Sequence, residues 1–124
     1  MSARILVIDD NEIWMSLIKR SLKSKPYEIA EAAGAEEALE LMAKESFDLI
    51  ISDYFMPNMD GLQFVNEMKK RFPDGRPPVI MLTAVRSKDV RNQGKEAGIE
   101  CWLNKPVSKE TLINSVEELL EGRS

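Results

Sequence analysis

Five side chains in this sequence could do chemistry together: the carboxylates of Asp9, Asp10 and Asp53, the hydroxyl of Thr83 and the ammonium of Lys105. Each stands where an apolar run ends. Ile5-Leu6-Val7-Ile8 stops on Asp9-Asp10, Leu49-Ile50-Ile51-Ser52 stops on Asp53, Val79-Ile80-Met81-Leu82 stops on Thr83, and Cys101-Trp102-Leu103 leads into Asn104-Lys105-Pro106. Three carboxylates brought together repel, and unperturbed they are all ionised near neutral pH, so such a cluster is stable only with a cation among them. A hard divalent ion with oxygen ligands fits, and Mg²⁺ suits an open site that combines one or two carboxylates with water and phosphate. With the ion held by Asp10 and Asp53, the second oxygen of Asp53 can serve as a nucleophile. Lys105 and Thr83 would then stabilise the oxygens of an incoming phosphoryl group. Taken singly, the same residues have structural roles: Asp9-Asp10 as a helix cap, Asp53 in a turn, Thr83 as a cap, Lys105 on a solvated surface. Their joint placement favours phosphoryl transfer onto a carboxylate.

The elements that must position them follow from periodicity. Short apolar runs rich in β-branched residues and bounded by polar or turn residues read as strands buried on both faces. The stretch from Tyr54 to Gly61 contains Pro57 and Gly61 and no helical period, so Asp53 sits where a buried strand opens into a loop. Helical stripes lie between the runs: Ile13, Trp14, Leu17, Ile18 and Leu22; Ala35, Ala38, Leu39 and Met42 after Gly34; Leu62, Val65, Met68 and Phe72; and Leu112, Ile113, Val116, Leu119 and Leu120. Asp9-Asp10-Asn11 can cap the first helix, and Lys25-Pro26 ends it. Tyr27 to Ala32 alternates, as an edge strand does. Ser87 to Ala97 is the weakest helix, with Val90 and Ala97 on one side and Gly94 inside, which implies a loosely held element. Trp14 and the methionines read as packing residues. Five strands alternating with five helices imply an α/β fold: a five-stranded parallel sheet with helices on both faces. Right-handed crossovers leave few topologies, and the common one is the doubly wound, flavodoxin-like order 2-1-3-4-5. In that order Asp9, Asp10, Asp53, Thr83 and Lys105 meet in one crevice at the carboxyl ends of the strands.

Composition narrows the function classes. The 124 residues read as a single domain, 1–124, large enough to bury a core without metal or disulfide staples. At 44% hydrophobic and 31% charged the chain is ordinary for a globular protein. A net charge of −4 argues against a nucleic-acid surface. The absence of histidine removes His-based catalysis and His metal sites. One cysteine, Cys101, forms no internal disulfide, which points to a reducing compartment, and it reads as a buried, inert strand residue. The apolar run after Met1-Ser2-Ala3-Arg4 is too short for a signal peptide or a membrane span. A cytoplasmic protein, with no direct nucleic-acid or membrane contact, is the expectation.

Asp9-Asp10 after the first strand, Asp53 after the third with Met56-Pro57 and Met59-Asp60-Gly61 behind it, Thr83-Ala84 after the fourth and Lys105-Pro106 after the fifth resemble the receiver domain of bacterial response regulators. The resemblance runs from Ile5 to Leu120. It implies that Asp53 is the phosphoacceptor, that Asp10 directly and Asp9 mainly through water hold Mg²⁺ (or Mn²⁺), and that Asp53 and the Phe55 main-chain carbonyl complete the ligands. It implies further that Thr83, Ala84 and Lys105 read out the phosphoryl group with Trp102 as the switch residue, and that Pro106 follows a cis bond. The donor would be a phosphohistidine on a sensor kinase or phosphotransfer protein. Such a domain is a phosphoacceptor signalling module and no conventional enzyme; it catalyses only its own phosphorylation and dephosphorylation. Its output would pass through the face around Ser87 to Ala97 and Trp102, to a separate partner, to an output domain of a longer chain, or to a second copy in a homodimer.

Some positions depart from the family pattern. The residue three before the lysine is commonly Tyr or Phe; here it is Trp102, larger and carrying an indole N–H that needs a partner if buried. Restricted rotation of Trp102, still coupled to Thr83, is the expectation. Phe55 and Val85, two residues beyond Asp53 and Thr83, are both apolar and would screen an acyl phosphate from water, so slow self-dephosphorylation is expected. Two other classes compete. A haloacid-dehalogenase-like phosphatase places Asp-x-Asp after its first strand, where this chain has Asp9-Asp10-Asn11. A flavodoxin-like electron carrier needs a Ser/Thr-rich phosphate loop there, and Asp9-Asp10 would repel the cofactor. A degenerate receiver that binds without phosphorylation would lack a core residue, and none is missing.

Overall fold

Strand ends place the polar residues, and strand pairing fixes which ends become neighbours. In a computed structural model describing residues 2–122, β1 (Arg4–Ile8), β2 (Glu28–Ala32), β3 (Leu49–Ser52), β4 (Val79–Thr83) and β5 (Cys101–Asn104) form one parallel sheet. The strand order is β2-β1-β3-β4-β5, the order expected from the sequence. Helices α1 (Glu12–Leu22), α2 (Ala35–Lys44), α3 (Gly61–Arg71), α4 (Lys88–Ala97) and α5 (Lys109–Glu121) alternate with the strands. Residues 1, 123 and 124 of the expected 1–124 domain lie outside the described residues. Among the described residues no helix is long and apolar enough to cross a membrane.

The continuous apolar runs are explained by burial on both faces. Leu6, Ile8, Ile50, Val79 and Met81 point to one layer with Ala35, Ala38 and Leu39 of α2 and Phe64, Val65 and Met68 of α3. Ile5, Val7, Leu49, Ile51, Ile80 and Leu82 point to the other, with Met15, Ile18 and Leu22 of α1 and Leu112 and Val116 of α5. Register does the rest. Ile8 stands beside Ser52, so the residues that follow them, Asp9 and Asp53, are neighbours. Thr83 stands beside Asn104, and the Lys105 N–H donates to the Thr83 carbonyl at 2.9 Å.

The expected elements are all present, and burial differs from the expectation at several of their residues. On α1 the buried face is Met15, Ile18 and Leu22, while Ile13 is 71% exposed and Leu17 is exposed too. Of the stripe expected on this helix, Ile18 and Leu22 are buried, and Met15 completes the buried face in place of Ile13 and Leu17. On α3 the fully buried aromatic is Phe64, absent from the expected stripe, while Phe72 at the C-cap is partly buried against the same layer. Cys101 is half-buried against the second layer, and burial pushes its thiol above the usual range, which keeps it protonated near neutral pH.

Gly94 is the buried residue of α4, and its role is spatial. A Cβ there would lie 2.9 Å from Trp102 Cζ3, closer than such atoms come, and 3.2 Å from Ile99 Cδ1, a tight contact. Glycine costs an exposed helix interior about 1 kcal/mol relative to alanine, and here it opens a notch for an indole. The helix stops at Gly98, whose φ of 95° suits a left-handed C-cap. Gly94→Ala sets about 1 kcal/mol of helix propensity against an overpacking cost of about 1–3 kcal/mol. Because the indole is only half-buried, it can relieve the clash by swinging outward. We expect a stability change within about 1 kcal/mol in urea unfolding and, in a Trp14→Phe background where only Trp102 emits, a red shift of its fluorescence. Unchanged emission would refute the notch.

Candidate functional site

Asp9, Asp53 and Lys105 form one buried cluster. The Lys105 Nζ donates to Asp9 Oδ2 at 2.8 Å and to Asp53 Oδ2 at 3.0 Å, and the lysine side chain is only 7% exposed. The remaining carboxylate oxygens are held by main chain: Asp9 Oδ1 accepts from the Asn11 N–H at 2.9 Å and Asp53 Oδ1 from the Phe55 N–H at 3.2 Å. The Asp53 N–H donates to the Ile8 carbonyl and the Asp9 N–H to the Ala32 carbonyl, so both backbones continue the sheet past its last paired residues. Two buried carboxylates cost several kcal/mol each in lost hydration unless paired and hydrogen-bonded. One ammonium and two N–H groups meet that requirement.

The other sequence-predicted residues surround this cluster unevenly. Asp10 is exposed, and its carboxylate makes no hydrogen bond or ion pair with the described residues. The Phe55 ring is 60% exposed and meets Tyr54 edge-on, at a centroid distance of 5.4 Å. Thr83 is fully buried, and its Oγ1 accepts from the Val85 N–H at 3.3 Å. Ala84 is exposed and Val85 half-buried. Asn104 ties the two loops together by donating to the Val85 carbonyl at 2.9 Å. The Lys105-Pro106 peptide is cis. Trp102 lies apart from the carboxylates: it pairs with Met81 in register and packs toward Gly94, Ile99 and Tyr54. Burial, with Asp60 nearby, raises the Tyr54 phenol above its usual range.

Two neighbours of the cluster escaped sequence reasoning. Ser52, fully buried, donates from its hydroxyl to the Asp53 carbonyl at 2.9 Å and steadies the chain where it leaves β3. Trp14, expected to pack in the core, belongs to neither apolar layer; its ring lies under the Lys105 Nζ, 4.7 Å from the centroid. A tryptophan beside an Asp-Asp pair was the available signal, but the lysine it meets is remote in sequence.

The donor set fits a hard cation. The Asp10 carboxylate is unengaged, and the Phe55 carbonyl accepts no hydrogen bond from the described residues. Among those residues no group of three or more His, Cys, Asp or Glu side chains is placed to hold a metal ion. Few protein carboxylates, completed by carbonyl and water, is the coordination habit of Mg²⁺.

The family model for the response regulator receiver domain matches residues 5–117. The chain is 35% identical over 119 residues to the response regulator PleD of Caulobacter vibrioides, covering 96% of this chain and 26% of that protein. It is 33% identical over 120 residues to the transcriptional regulatory protein SrrA of Staphylococcus aureus, covering 97% of this chain and 48% of that one. The chain thus spans about a quarter to about half of the length of these relatives. Among solved structures, the chemotaxis response regulator CheY4 of Vibrio cholerae superposes with a TM-score of 0.87 at 34% identity, over 96% of this chain and 99% of that one. The Francisella response regulator 1452 receiver domain gives 0.90 at 28% identity, over 99% and 100%. A match of this extent sets aside the phosphatase and electron-carrier readings. The chain belongs to the response regulator receiver domain family, the signalling module of two-component systems.

Proposed function

We propose that this chain is a phosphorylation-driven switch in which Asp53 accepts a phosphoryl group from a phosphohistidine of a sensor kinase or phosphotransfer protein. The observation that carries this reading is the buried Asp9–Lys105–Asp53 cluster at the strand ends of a receiver-family chain. An Asp53 oxygen attacks phosphorus, a P–O bond forms, the P–N bond breaks, and the imidazole nitrogen leaves with the electron pair. Lys105 turns from Asp53 Oδ2 to a phosphoryl oxygen, placing a fixed positive charge where negative charge gathers. The Thr83 hydroxyl and the Ala84 N–H donate to the other phosphoryl oxygens. Asp9, Asp10, Asp53 and the Phe55 carbonyl hold Mg²⁺ (or Mn²⁺), which when bound supplies charge neutralisation to the transferring group.

Drawing Thr83 toward the phosphoryl group releases the Val85 N–H and repacks the loop before α4. That helix buries little of itself, so it is the cheapest element to shift, and the change is a population shift toward a form with a rearranged Ser87 to Ala97 face. Trp102 borders this face, which is the surface offered to a protein partner.

Incubation with Mg²⁺ and acetyl phosphate should add one phosphoryl group to the wild type, read by intact mass, and none to Asp53→Asn. Labelling that persists in the variant would move the acceptor elsewhere, and no labelling by acetyl phosphate or by a phosphorylated histidine donor would sink the reading. Phe55 and Val85 should keep the acyl phosphate alive well beyond seconds; loss within seconds would remove them as a screen. Removing the cation should be costly. In EDTA, Lys105→Met should lose about 3 kcal/mol in urea unfolding, because two buried carboxylates are left facing each other. Mg²⁺ should restore part of that loss by binding the native form, and an equal loss with and without Mg²⁺ would speak against a metal at these carboxylates.

A further inference from the structure

Lys105 is held from three sides, and only two of them are acidic. Its ammonium has three N–H donors; Asp9 Oδ2 and Asp53 Oδ2 take two contacts, and the face of Trp14 covers another side at 4.7 Å. The ring is anchored by the same carboxylate. Asp9 Oδ1 accepts from the Asn11 N–H, and the Asn11 side chain, as the N-cap of α1, accepts from the Trp14 N–H at 3.0 Å. The path Lys105, Asp9, Asn11, Trp14 and back to Lys105 is closed. Trp14 is half-buried yet contributes to neither apolar layer, so its bulk is spent on this contact and not on the core.

We propose that Trp14 is a positioning residue for Lys105, an aromatic seat that keeps the ammonium over the carboxylates and lets it turn to the phosphoryl group; the inference rests on Asp53 being the phosphoacceptor. A ring face suits this task for two physical reasons. Attraction of a cation to the quadrupole is spread over the face, so Lys105 can pivot from Asp53 Oδ2 toward a phosphoryl oxygen without losing its third contact. A carboxylate or carbonyl in the same place would hold the ammonium by a directed hydrogen bond and compete with the phosphoryl oxygens for it. The ring also keeps water off that side of the cation, where a low dielectric strengthens its pull on developing charge.

The test compares Trp14→Phe, which keeps a π face, with Trp14→Leu, which keeps only apolar bulk and helix propensity. Both are made in a Trp102→Phe background, and folding is verified by urea unfolding. With Mg²⁺ and acetyl phosphate we expect Trp14→Leu to be labelled about three- to tenfold more slowly than its parent, the range a partly desolvated cation–π contact provides. Trp14→Phe should stay within about twofold. In the parent, whose only tryptophan is then Trp14, emission should change when Lys105→Met removes the cation. Equal labelling rates for the parent and Trp14→Leu overturn the inference and leave Asp53 as acceptor. Emission indifferent to Lys105→Met overturns it as well. No adduct on the wild type overturns the phosphoacceptor reading and the positioning role with it, and the emission result then reports on the contact alone.

Discussion

Asp9 and Asp53 are buried side by side, and the Lys105 ammonium between them is what makes that burial tolerable. Each carboxylate stripped of water costs several kcal/mol, and two of them facing each other cost more than the sum. The ammonium arrives from β5, two strands from β3 and three from β1 in the sheet order. Two strand spacings are roughly 10 Å, a span that the long flexible stem of lysine can help cross. The strand between, β4, ends on Thr83, whose short side chain leaves the way clear while its carbonyl pins the Lys105 N–H at 2.9 Å. Sheet order, strand length and the identity of the residue closing β4 are therefore all conditions on a single ion cluster.

The two-layered core supplies the rigidity that this geometry demands. Consecutive residues of β1 and β3 go alternately to the α2/α3 layer and the α1/α5 layer, so a slip of one residue in either strand would exchange the layers. It would also separate Asp9 from Asp53, which owe their proximity to the pairing of Ile8 with Ser52. Packing and polar pairing thus select the same register.

What could be read from the sequence was whatever is encoded by neighbours along the chain. Strand ends were legible because a carboxylate, a hydroxyl or a lysine interrupts a β-branched apolar run, and the parallel order followed from alternation. Contacts made across space left weaker marks. The apolar residues of α1 look alike until the sheet buries Met15, Ile18 and Leu22 and leaves Ile13 in solvent. Gly94 reads as a flaw in a helix until Trp102 is seen against it. Trp14 reads as core until Lys105 is found over its face.

The two tryptophans bear on opposite ends of one problem. Lys105 and Trp102 belong to the same short segment, and the Asn104 side chain between them is bonded to the loop that follows Thr83. The Thr83–Val85 loop is thus tied to the Lys105 segment through Asn104, and α4 through Trp102 in its notch. Of the elements touched, α1 and the central strands are fixed by several buried residues, whereas the one buried residue of α4 is Gly94, fitted to the indole. A displacement started at the strand ends is absorbed where resistance is least. With the indole seated against Gly94, ring and helix are in direct contact, so a shift of either alters the packing of the other.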